Sequence, residues 1–377
     1  VFDERGGLRM GPVRLLAEVR VSEEYTDNFF LAGTNKEWDW NLIIRPKVSM
    51  RVRMQNAVLN LGVGSEHQRP SEHNDYDDNR YYAQAGIKFK TPAGFSGGID
   101  GKFRDWSNPP SYKGDEIKDF IDYKIGLNLA RSFADYWGVG LRYTHVYKRF
   151  DRGVYAIDDL NQDGVALEAS YRPLPQTSIF LEGGYDWNRF PERDNPSWDN
   201  NVYRLWIGLR SSPRAKIVGE IKGGASYKQW DNENLSDPIL YFGAEGKARY
   251  QPNKKTRLTA SLFRRAVDQT FTVRDADPNA AYHIDTGFSF RAYQKFIRQV
   301  SGYVDLRYKG MEYMDRDDVA GGDSRLDFEL NFSVGLDFRI HRHLKLGVQG
   351  GYLDHTSNVD GGDYQETRGL VYISGNL

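Results

Sequence analysis

The stretch Arg325–Tyr352, RLDFELNFSVGLDFRIHRHLKLGVQGGY, alternates apolar and polar residues with a period of two, broken once in its middle. Leu326, Phe328, Leu330, Phe332, Val334, Leu336, Phe338 and Ile340 fall on one face of an extended chain. Asp327, Glu329, Asn331, Ser333, Gly335, Asp337 and Arg339 fall on the other. Such a period marks strands with two unlike faces, and the break at His341–His343 reads as a tight turn between two of them. What each face meets decides the fold.

The same alternation runs from end to end. It recurs in VRLLAEVRV from Val13, LIIRPKVSMRVRM from Leu42, IGLNLA from Ile125 and WGVGLRYTHVYK from Trp137. It returns in SIFLEGGYDW from Ser178, VYRLWIGLR from Val202, KIVGEIKGGASY from Lys216 and VSGYVDLRYK from Val300. We count about eighteen such strands, each long enough to cross a membrane at the usual tilt in roughly 9 to 11 residues. The connections alternate as well. Short turns such as Gln55-Asn56 and His341–His343 take turns with longer segments rich in Asp, Asn, Gly and Pro, such as RPSEHNDYDDN and DWSNPPSYKGDEIK. Sorting of turns by length is the mark of an up-and-down barrel inserted from one side. The expected fold is therefore all-β, a transmembrane antiparallel up-and-down β-barrel over residues 13–377, with residues 1–12 as an N-terminal periplasmic segment. A soluble multi-sandwich protein is the alternative, but it rarely keeps strands this long through so many hairpins.

Composition agrees with this reading and excludes others. The chain of 377 residues has 51 Lys plus Arg against 52 Asp plus Glu, a balance that points to no nucleic-acid partner. The absence of Cys excludes disulfides, thiolate metal sites and Cys nucleophiles. No apolar run approaches the roughly 18 residues of a membrane helix. The mean hydropathy of -0.67 is that of a soluble protein, but half of every barrel strand faces a wet lumen. The chain start at Val1 carries no basic, apolar leader, and a mature exported form is expected. Trp137, Tyr185, Trp187, Tyr203, Tyr227, Trp230, Tyr308 and Tyr352 fall near strand ends, where a barrel places interfacial girdles.

With the apolar face in lipid, the inward residues follow from parity. Basic groups outnumber acidic ones there by roughly two to one. Arg45, Lys47, Arg51, Arg53, Arg142, Arg204, Arg210, Lys247, Arg249 and Arg307 are the residues expected to line the pore and attract anions. Tyr82, Trp206, Tyr241 and Tyr303 are the inward aromatics expected to offer sliding contacts, since one side of a sugar ring is apolar. No loop is long enough to fold back across an eighteen-strand lumen, so the pore should be wide, or narrowed by charged side chains and a partner.

Other motifs carry less. DDLNQDG places Asp159, Asn161 and Asp163 like the first half of a calcium loop, but its twelfth position is Ser170 and a strand follows, so an Asx-rich turn is expected. His355 with Thr356 and Ser357 is the nearest approach to a His and hydroxyl pair. No catalytic residue and no cofactor are expected.

The segment SEEYTDNFFL, Ser22–Leu31, followed by WNLIIRPKVSMRVRM, resembles the opening of the outer-membrane barrels called β-barrel porin 2-like. Tyr25, Asp27, Asn28 and Phe30 match the family's pattern, Thr26 and Phe29 depart, and Pro46 fits, with Lys47 where Gly is common. The closing GLVYISGNL resembles a barrel-insertion signal, with Leu377 in place of the more usual Phe. The resemblance implies an eighteen-strand barrel and a role in passing polysaccharide across the outer membrane of a Gram-negative bacterium. Lipid and lipopolysaccharide, the latter from the acidic composition of the loops, and a periplasmic export partner that gates or feeds the pore are the expected partners. Three functions follow as expectations: a pore for an anionic exopolysaccharide, an anion-selective diffusion porin for small solutes, and a structural barrel sheathing another envelope component.

Overall fold

The computed structural model describes residues 7–108, 118–133, 136–151, 158–191, 198–212, 216–232, 237–268, 280–315, 325–359 and 361–377. A short strand, β1 (Leu8–Met10), precedes eighteen long ones: β2 (Val13–Thr26), β3 (Asp39–Arg53), β4 (Ala57–Pro70), β5 (Asp78–Lys90), β6 (Phe95–Asn108) and β7 (Lys118–Phe133). There follow β8 (Trp137–Phe150), β9 (Leu160–Leu174), β10 (Thr177–Arg189), β11 (Asn200–Ser211), β12 (Ile217–Trp230) and β13 (Ile239–Tyr250). The last are β14 (Thr256–Asp268), β15 (Ala280–Lys295), β16 (Val300–Asp315), β17 (Leu326–His341), β18 (Leu344–Ser357) and β19 (Tyr364–Asn376). Each pairs antiparallel with its neighbour in sequence, and β19 returns to β2 from Arg368↔Thr26 to Asn376↔Glu18, so the sheet closes into a barrel without free edges. Where β19 ends, β1 takes over the same edge of β2, with Leu8 opposite Leu15 and Met10 opposite Val13.

The alternation of the sequence is the alternation of the wall. Leu167, Leu205, Ile207, Leu240 and Phe242 point outward and stand largely bare, Leu240 at 74% exposure. An apolar surface that wraps the whole cylinder is stable only against hydrocarbon. The protein is a membrane-spanning barrel, and the charged face lines its lumen. Strands of 12 to 16 residues exceed the span of the hydrocarbon, and their extra length lies beside the long loops.

Aromatic ladders mark the interfaces. Tyr185 meets Tyr203 at 4.9 Å and Tyr203 meets Tyr227 at 6.2 Å between centroids across three adjacent strands, and Trp137 packs on Tyr171 at 4.7 Å near the short turns. Trp230 departs from the expected girdle. It lies 2% exposed in an apolar cluster on the lumen side, because its parity on β12 is that of Lys228 and Ser226.

Candidate functional site: the charged lumen

Closure of the sheet stacks carboxylates and cations from strands two apart. Glu182 on β10 accepts from Arg142 Nη2 on β8 at 3.2 Å and from Lys222 Nζ on β12 at 2.9 Å. Arg210 on β11 is gripped by both oxygens of Glu168 at 2.8 Å and by Glu220 at 2.6 Å. Arg204 bonds Asp186 at 3.0 Å, and Arg45 bonds Glu66, which also holds Arg80 at 3.0 Å. Arg291 and Arg307 share Asp305 at 2.6 and 3.1 Å. A guanidinium so held is locked in direction and largely neutralised. Arg45, Arg142, Arg204, Arg210 and Arg307 are thus wall braces more than open charges.

The other half of the expected set is different. Lys47, Arg51, Arg53, Lys247 and Arg249 have no carboxylate partner among the described residues, and neither do Lys88, Lys90, Arg172, Arg257 and Arg339. All but Lys47 are exposed. Most of them fall within the last few residues of a strand at the short-turn end, which in outer-membrane barrels is periplasmic.

The aromatics do not project as a track. Trp206 is 4% exposed, its Nε1–H donates to Ser226 Oγ at 2.9 Å, and a Cβ on Gly243 would stand 2.7 Å from its ring. Phe180, 1% exposed, lies flat over Gly208 on the paired strand, with the Arg210 guanidinium 4.5 Å from its centroid. Tyr82 over Gly64 and Tyr303 over Gly335 repeat the arrangement, and Tyr303 donates to Gln349 Oε1 at 2.6 Å. A ring lying on a cross-strand glycine covers exposed backbone and thickens the wall without narrowing the channel.

The upper ends of two strands form an element that the loop lengths do not suggest. Pairing of β13 with β14 reaches only Ala244↔Arg264, while β14 and β15 stay paired up to Asp268↔Tyr282. The upper ends of these two strands leave the wall and tuck inside it. Ala266, Tyr282 and Ile284, outward by parity, pack against the inward Phe190, Trp198 and Trp230. Asp268 accepts from Asn200 Nδ2 at 3.0 Å and from the buried Lys228 ammonium. Tyr241 stands opposite Ser226 in the β12–β13 ladder and is half-buried there. Sequence reasoning missed the device, although Asp268 shares the parity of Leu262, a carboxylate where lipid was expected.

Below the tucked strands, β13 to β17 form a basin of about 440 Å³ in the inner wall, lined by Lys247, Arg257, Arg291, Arg307, Tyr293 and Tyr303 together with Asp305 and Asp337. Ser261 and Ser289, hydrogen-bonded to each other at 2.7 Å, lie on its floor. Four cations against two carboxylates leave it net positive, in the size range of small-molecule sites. Arg257 and Arg291 belong here although the strongest sequence signals lay elsewhere.

The remaining motifs separate. Asn161 and Asp163 lie within β9 and not in a turn. Asp163 accepts from Tyr143 Oη at 2.5 Å and is 2.9 Å from His145 Nδ1, while Asp159 caps the Phe150 amide at 2.7 Å. No metal-competent cluster of His, Asp and Glu occurs among the described residues. Ser357 Oγ donates to Asp327 at 2.6 Å, and Arg325 and His355 converge on that same carboxylate. The serine bonds the carboxylate and not the imidazole, and the group fastens the extracellular ends of β17 and β18.

Fold and lumen together define an outer-membrane pore protein with eighteen barrel strands. The chain belongs to the family described as "Putative beta-barrel porin 2", which matches residues 151–375. The match lies beyond the Ser22–Leu31 segment that carried the resemblance. Among solved structures, Pseudomonas aeruginosa OccK2 (OpdF) in complex with glucuronate is similar in fold at 11% identity and a TM-score of 0.51, covering 99% of this chain and 100% of that one. Pseudomonas aeruginosa OccK1 (OpdK) is similar at 11% identity and a TM-score of 0.50, covering 96% and 99%. No curated protein matches the sequence.

Proposed function

We propose that the protein is an anion-selecting diffusion pore for small solutes bearing carboxylate or phosphate groups. The observation that carries this is the unequal use of charge. Most lumen carboxylates are consumed in pairs, whereas Arg51, Arg53, Lys247, Arg249 and Arg257 face the water with none. Fixed positive charge in a narrow aqueous passage concentrates anions and repels cations. The basin between β13 and β17 suits an anionic ring compound, with Tyr293 and Tyr303 beside the cations. OccK2, of similar fold, was captured with glucuronate, which is of this chemical kind. An exopolysaccharide needs a continuous run of accessible rings, and Trp206 and Phe180 are flattened beneath neighbouring side chains.

Purified protein in a planar bilayer under a potassium chloride gradient tests the reading. The reversal potential should show chloride favoured over potassium, and the double change Lys247→Glu with Arg257→Glu should reduce or invert that preference. A cation-selective current from the unaltered protein would defeat the proposal.

A further inference from the structure

The periplasmic rim contains a hollow of about 620 Å³ that the diffusion reading does not use. It is lined by Lys90 at the end of β5, by Arg172 and Pro175 at the end of β9, and by Gln176, Ser178, Arg210 and Ser212 around the next turns. On the inner face between β5 and β9, parity places Ser96, Gly98, Ala130, Ser132, Gly138, Gly140 and Ser170, so the wall between the Lys90 and Arg172 strands carries small side chains at this height.

The charges at its margins are unequal. Arg210 is held by Glu168 and Glu220 and contributes little net field. Lys90 and Arg172 are exposed and have no carboxylate partner among the described residues, and hydroxyl and amide groups of Gln176, Ser178 and Ser212 line the same hollow. Two free cations across a hydroxyl-lined recess recognise a ligand with two or more anionic groups, and discriminate against one with a single charge. Among the described residues of the extracellular end the cations are used differently: Lys228 is consumed by Asp268, and Arg325 by Asp327.

We infer that the hollow between Lys90 and Arg172 is a binding site for a multivalent anion, such as a polyphosphate or polycarboxylate, reached from the periplasmic side. This rests on the pore reading for its access but not for its chemistry. Charge placement of this kind does not drive net transport. It determines the side from which a polyanion is captured and held.

The test uses single pores in a bilayer with inorganic tripolyphosphate added to one side at a time. Because the chain has no Cys, a Lys36→Cys variant in the exposed β2–β3 loop reports orientation through a membrane-impermeant thiol reagent. Tripolyphosphate should interrupt the current at concentrations at least tenfold lower from the periplasmic side. The pair Lys90→Gln and Arg172→Gln should abolish that difference, and Lys90→Arg should keep it. Equal block from both sides, or block indifferent to Lys90 and Arg172, overturns the inference while leaving anion selectivity intact. Loss of anion selectivity in the unaltered pore would instead overturn the function proposed above.

Discussion

The two mouths of the barrel are built on opposite plans. Among the described residues of the extracellular mouth, charge is spent internally: Lys228 on Asp268, Arg325 on Asp327 and Arg368 on Glu366, while Phe190, Trp198, Trp230, Tyr282 and Ile284 bury one another. At the periplasmic rim, Arg51, Arg53, Lys90, Arg172, Arg249 and Arg257 face water, and the inner wall beside them is glycine, serine and flattened rings. The paired cations at one end do structural work, and the unpaired ones at the other are those that the proposed function assigns to solutes. Composition alone does not separate the two.

The largest effects should come from breaking the plan at the extracellular mouth. Trp230→Ala removes the centre of the apolar cluster, a change that costs about 3–5 kcal/mol in a packed core. Asp268→Ala leaves Lys228, 1% exposed, without its partner, which is worth a similar 3–5 kcal/mol if nothing moves. Water lies within reach, so the cheaper response is release of the tucked strands. Single-channel conductance should therefore rise at least about twofold, with more noise, while the urea midpoint of Asp268→Ala changes little. Unaltered conductance in both variants would show that the tucked strands do not limit the passage. Glu182→Ala differs, because Lys222 and Arg142 sit in the wall itself. The unfolding midpoint should fall there by the equivalent of about 3 kcal/mol.

Next in size is a change at the other mouth. Arg51→Glu with Arg53→Glu replaces two free cations on β3 with carboxylates, and the anion preference should drop severalfold with no change in thermal stability, since neither residue braces the wall. The preference should also fade between 0.1 and 1 M salt, as the screening length shortens from about 10 to 3 Å. Persistence of full selectivity at 1 M would place the selecting charges in a narrower, drier passage than the rim.

These contrasts also show what the amino-acid order makes legible. Parity alone assigns the register of strands such as β11 and β17, because a slip of one residue would put Arg204 or Asp327 in lipid. The same rule places Arg210 and Arg249 in the lumen but is silent on their difference. Arg210 has carboxylates at matching heights on β9 and β12, a fact that depends on the stagger between strands. The tucked ends of β14 and β15 were hidden for a related reason. Periodicity describes a strand's two faces and not which wall they lean on, and Ala266 and Ile284 look like ordinary lipid-facing residues until their partners are known. Trp230 was misplaced by proximity to a strand end, where parity should have outranked position.

The finest difference between the two ends lies in how rings fill them, and a pair of glycines on adjacent strands separates packing from backbone propensity. Gly208 lies beneath Phe180, and a Cβ there would stand 2.3 Å from the ring, so Gly208→Ala must lift the ring off the wall. Gly183, on the neighbouring β10 but on the lipid side, has nothing within 4 Å of the same added atom. Overpacking of this size costs about 1–3 kcal/mol, against a few tenths or a slight gain for Gly183→Ala. Because the displaced ring can swing only toward the channel, Gly208→Ala should also lower conductance modestly at the periplasmic end, whereas Gly183→Ala should not. Urea titration and single-channel recording on the two variants read both effects. Equal midpoints would mean that the ring slides along the wall freely, and that the flat inner surface of this end is an accident of size and not a fitted contact.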